Sequence, residues 1–144
     1  MIENDTVKLL RECDAGVEMG VASISDVLDN VKSSELRQKL EKCKSDHEAL
    51  GTDIDTLLDT YHDGGKSPNP IAKGMSWMKT NVRLAAENND KTVAELMTDG
   101  CNMGIKSLCR YLNQYEAADE KSKNIAKKLI GIESGLVSDM REYL

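Results

Sequence analysis

The chain has 144 residues, of which 31% are charged, with a net charge of −6. That length can bury a sizeable core within one domain, and the surplus of acids excludes a nucleic-acid partner, which needs a concentrated basic face. No run of about 20 apolar residues exists to span a bilayer, and the acidic start Met1-Ile2-Glu3-Asn4-Asp5 lacks the basic and apolar runs of a signal peptide, so the cytoplasm is the default location.

Leu, Ala, Met, Lys and Glu are abundant, all of them strong helix formers, and Pro occurs only twice. The chain reads as an all-α fold in one domain, residues 1–144. The first helix is predicted over 5–31, because Leu10, Cys13, Val17, Gly20, Ile24, Val27 and Val31 recur in alternating steps of three and four. Asp14 interrupts a flanking stripe. Gly16 and Gly20 weaken the helix and mark places where a neighbour comes close.

A short turn at 30–34, with Ser33 or Ser34 as cap, makes the next helix an antiparallel partner. That helix, predicted over 34–62, carries the seam Leu36, Leu40, Cys43, His47, Leu50, Ile54, Leu57 and Tyr61. His47 stands in its middle. Asp63-Gly64-Gly65-Lys66-Ser67-Pro68-Asn69-Pro70 is the one sizeable loop, and Asn69 and Pro70 start a shorter helix over 70–88. Thr92 and Glu95 suggest a capping box for a helix over 91–116, on Ala94, Met97, Cys101, Gly104, Leu108, Tyr111 and Tyr115. Asp119 caps the last helix, 119–142, whose core is Ile125, Leu129, Ile132, Leu136 and Met140. Glu133 interrupts its flanking stripe as Asp14 does in the first helix. The lysines at 121, 123, 127 and 128 lie beside Asp119 and Glu120 and read as a solvated face.

Two long hairpins joined by a helical crossover are favoured over a five-helix up-and-down array. In that arrangement the second and fourth helices of the chain run parallel. Residues Cys13 to Glu18, Asp46-His47-Glu48, the crossover stretch Pro70 to Lys79 with Trp77, and Asp99-Gly100-Cys101-Asn102 followed by Tyr111 resemble the ferritin-like superfamily. Within it they are most similar to a small bacterial branch with a short extra helix in the crossover. The resemblance implies a ferritin-like four-helix bundle. Active members hold two iron or manganese ions with one Glu from each of two helices and Glu-x-x-His from each of the other two. Here Lys44 stands three residues before His47, and Leu136 three after Glu133, so that ligand set is not encoded.

Counted from the turns at 1.5 Å per residue, His47 falls level with Glu18, and Cys101 with Glu133. A reduced metal site of Glu18, His47 and Glu133, with Asp14 and Cys101 as neighbours, would suit Fe, Mn or Zn. The competing reading makes His47 a hydrogen-bonded core residue. Cys13, Cys43 and Cys101 sit on apolar seams and act as small hydrophobes, whereas Cys109 falls off the seam. No nucleophilic constellation or phosphate loop is present, so no cofactor is assigned and enzymatic activity is disfavoured. The leading expectation is a non-catalytic bundle that acts by association with itself or a protein partner, using Trp77 and Leu84 as an apolar patch. A metal-binding oxidase or store is the alternative, and a small-molecule binder is a weaker third.

Overall fold

The computed structural model describes residues 2–61 and 89–144, with side chains from residue 5 onward. Four α-helices account for nearly all of them: α1 (Ile2–Leu28), α2 (Ser34–Thr60), α3 (Asp90–Gln114) and α4 (Glu120–Met140), followed by a single 3-10 turn at Arg141–Tyr143. The crossover helix expected over 70–88, with its Trp77 and Leu84 patch, lies outside the described residues.

The helices α2, α3 and α4 each begin where a side chain can satisfy their first free amides. Ser33 accepts from the Leu36 amide at 3.2 Å, and Asp119 from the Ser122 amide at 2.8 Å. At α3 the cap is Asn89, accepting from Thr92 N–H at 2.8 Å, rather than the box expected from Thr92 and Glu95. Asn offers its acceptor one position ahead of the first helical residue, and Thr92 is buried inside the first turn. The end of α1 has no glycine cap. Instead the Arg37 guanidinium reaches back from α2 to the carbonyls of Leu28 and Val31, at 3.0 and 3.2 Å.

The α1–α2 and α3–α4 pairs form antiparallel hairpins; α2 packs on α4, and α1 on both α3 and α4. The core divides into two apolar clusters at opposite ends of the bundle. One gathers the end of α1 (Ile24, Val27), the start of α2 (Leu36, Leu40), the start of α3 (Val93, Met97) and the end of α4 (Leu136, Met140). The other gathers the opposite ends, with Leu9, Leu10, Ile54, Leu58, Leu108, Ile125 and Leu129. This pairing makes α1 antiparallel to α3 and α2 antiparallel to α4. Thr60 and Asp90 therefore lie at opposite ends of the bundle, as an up, down, down, up order requires.

The two hairpins are tied to each other in the same way at both ends. Asp90, opening α3, accepts from the Lys32 and Ser33 amides in the α1–α2 turn at 2.7 and 3.0 Å. At the opposite end, Asp5 near the start of α1 accepts from the Ala117 amide at 3.1 Å, and Thr6 from the Asp119 amide at 2.8 Å. Tyr61 adds a bond from its hydroxyl to Asp119 at 3.0 Å. Among the described residues, no helix is long and apolar enough to cross a membrane.

Candidate functional site at mid-bundle

Between the two apolar clusters lies a thin polar layer. His47 on α2 is 1% exposed and Glu133 on α4 is 7% exposed. Each faces a glycine on the preceding helix of its own hairpin. A Cβ built on Gly20 would stand 2.6 Å from both Cδ2 and Nε2 of His47, and one on Gly104 would stand 2.7 Å from both carboxylate oxygens of Glu133. Both polar side chains thus occupy space that a side chain on the facing helix would otherwise fill. The mid-helix glycines have a steric reason that offsets their poor helix propensity.

One ring nitrogen of His47 is satisfied locally. Nδ1 lies 2.8 Å from the carbonyl oxygen of Cys43, one turn back, so it carries the proton and donates. The Cys43 sulfur is 3.6 Å from the same nitrogen. Nε2 is then a lone-pair acceptor, buried and without a partner among the described residues. Burial holds the imidazole pKa below its usual value, against the smaller opposing effect of the Cys43 carbonyl bond. The ring is neutral.

Burial alone pushes the Glu133 carboxyl up to about 8, and its Oε2 has no hydrogen-bond partner among the described residues. Glu133 is a neutral acid at pH 7. Three thiols lie close enough to feel its charge when it ionises: burial first, and Glu133 among the lesser causes, raises Cys13 and Cys43 to about 12 and Cys101 well above the thiol range. Such thiols stay protonated and unreactive. Cys109 alone of the four is exposed.

Glu18 does not enter this layer. It is exposed on α1, and Gly20, two residues further on, faces His47. Counting by Cα height misplaces the register because helical side chains lean towards their own N-terminus. His47 and Glu133 therefore reach towards the turn of their hairpin and meet Gly20 and Gly104 instead of Glu18 and Cys101. Cys101 is buried, and Asp14 is half-buried and engaged in an interaction of its own. Among the described residues, no three His, Cys, Asp or Glu side chains gather where they could hold a metal ion.

The fold itself is a ferritin-like four-helix bundle. Among solved structures, Dps92 from Deinococcus radiodurans matches it with a TM-score of 0.68, covering 99% of this chain and 87% of that one at 15% sequence identity. No family model and no curated protein sequence matches the chain. The di-metal centre such bundles can carry draws one Glu from each of two helices and Glu-x-x-His from each of the other two. The residues here do not fit it. Lys44 and Leu136 occupy the positions that would complete the two Glu-x-x-His motifs, and the groups facing His47 and Glu133 are glycine backbones. Gly20 was legible as a close-approach point and Gly104 as a seam position, but which side chain each one receives required the hairpin register.

Proposed function

We propose that this protein is a non-catalytic ferritin-like bundle that acts through association with itself or with a protein partner. The observation that carries the reading is the pairing of His47 with Gly20 and Glu133 with Gly104. It fills mid-bundle with neutral polar groups and sets glycine backbones, which offer no side-chain ligand, directly opposite them. A buried layer of this kind costs stability, because desolvated polar atoms without partners are unfavourable. Its benefit is specificity of register between the helices.

A second reading has one observation in its favour. With Nδ1 tied to a backbone carbonyl, Nε2 of His47 is oriented as a metal-binding imidazole usually is. Fe, Mn or Zn would then be held by His47 and Glu133, with Glu18 drawn in from the surface.

Elemental analysis of protein purified without chelators, together with its mass in solution and a His47→Ala control, separates the two. The association reading expects no stoichiometric metal, before or after incubation with Fe²⁺, Mn²⁺ or Zn²⁺, and a species larger than one chain or a reproducible complex. Near-stoichiometric metal that disappears in His47→Ala would overturn it in favour of the second.

A further inference from the structure

Among the described residues, the seam between α2 and α4 carries a grooved face. Two grooves, of about 720 and 560 Å³, run end to end along it and share Asp53 and Lys128. Its floor is apolar, with Leu50, Leu57, Ile125, Ile132 and Leu136. On α4 the walls fall away at Gly131 and Gly135, both exposed. Among the described residues nothing stands within 4 Å of a Cβ built on either. Unlike Gly20 and Gly104, these glycines receive no side chain from the described residues. Each weakens an exposed helix by about 1 kcal/mol relative to Ala.

Charge is distributed unevenly along this face. At one end Lys121, Lys127 and Lys128 surround the single acid Asp53. At the other, Lys39 is paired with Glu142 and Lys42 with Asp46, which leaves Asp139 in excess. One end is therefore basic and the other acidic, with the glycines between. The run from Lys121 to Asp139 is about 27 Å at 1.5 Å per residue. Two helices wide, each about 10 Å across, it offers a flat footprint of roughly 540 Å². Side-chain relief brings that towards the ~800 Å² per partner of a standard interface.

We infer that the α2–α4 face docks a second copy of this chain, related by a twofold axis that crosses the seam at the level of Gly131 and Gly135. This rests on the association reading above and names its partner and surface. The axis sets α4 antiparallel to its counterpart. Lys128 lies one turn before Gly131 and Asp139 one turn after Gly135, so Lys128 of each copy meets Asp139 of the other. The interface is isologous, and the glycines let the two α4 backbones approach closely.

Sedimentation velocity of the full chain over a hundredfold concentration range tests this. Wild type should be a dimer whose dissociation constant rises with salt. Lys128→Glu should raise that constant by about tenfold or more, and adding Asp139→Lys should restore it, since the swapped charges meet again. Gly135→Gln should block the close approach while keeping the helix, which far-UV circular dichroism verifies. A wild type that stays monomeric throughout overturns the inference. A dimer indifferent to both Lys128→Glu and Gly135→Gln also overturns it, but leaves the broader association reading standing with its surface elsewhere.

Discussion

The two hairpins solve one packing problem with opposite chemistry. In the first, a base on the second helix faces a glycine on the first; in the second, an acid does. Burial acts on both in the same sense, against the charged form, so the histidine gives up its proton and the glutamic acid keeps its own. The supports differ. His47 is anchored by the Cys43 carbonyl and is a flat, stiff ring, whereas the Glu133 carboxyl sits at the end of a flexible chain with Oε2 unpartnered among the described residues. The first hairpin should therefore be the geometrically rigid one, and the second the electrostatically costly one.

The largest expected effect lies on the acid side. An ordinary carboxyl ionises near 4.5, whereas Glu133 does so near 8. Between those values the unfolded chain releases a proton that the folded chain retains. Stability from this group is thus fully present below about pH 4.5 and is lost as pH rises to about 8, by roughly 3–5 kcal/mol in total. Chemical denaturation of wild type and Glu133→Gln at pH 5, 7 and 9 checks this: the variant should gain most at pH 9, with a flatter profile. His47 has the opposite sign. Its lowered pKa means stability is present above about 6.5 and is lost as pH falls below that, so His47→Gln should flatten the acid limb by a smaller amount.

Steric tests come next in size. Gly20→Ala drives a methyl into a ring that cannot retreat without breaking its bond to Cys43, and should cost about 2–3 kcal/mol. Adding His47→Ala should recover part of that loss. Gly104→Ala meets only the tip of Glu133, which can swing aside. Improved helix propensity offsets the remainder, so its net cost should stay within about 1 kcal/mol. Equal costs at the two glycines would remove the distinction drawn between the hairpins. Smallest are the end ties: Asp119→Ala and Asp90→Ala should each cost about 1 kcal/mol in thermal denaturation, with Asp119 slightly the larger because it also holds Tyr61.

Much of this architecture was legible from periodicity. The seams of α1 and α2 are buried as spaced, except that Gly20 and Tyr61 are only half-buried and Leu58 replaces Leu57 near the end of α2. A strict 3.5-residue repeat drifts by about 20° per heptad on a 3.6-residue helix, enough to pass the burial to the next leucine by the last turn. In α4 the same drift favours Glu133, which is buried while Ile132 is only partly so. Polarity argued for the flank, and position decided for the core. The layer pairing itself was not legible, because it depends on the lean of side chains and on the turn geometry set by Arg37 and Asp90, which spacing alone does not encode.

Infrared difference spectroscopy reads the protonation state of the buried Glu133 carboxyl at mid-bundle and its response to metal. Spectra of wild type and Glu133→Gln would be compared across pH, with and without added Mn²⁺ or Zn²⁺. A protonated-carboxyl stretch present in wild type at pH 6, fading with a midpoint near 8, absent from the variant and unmoved by metal is the predicted result. A carboxylate band at pH 6, or one that forms when the metal is added, would contradict it.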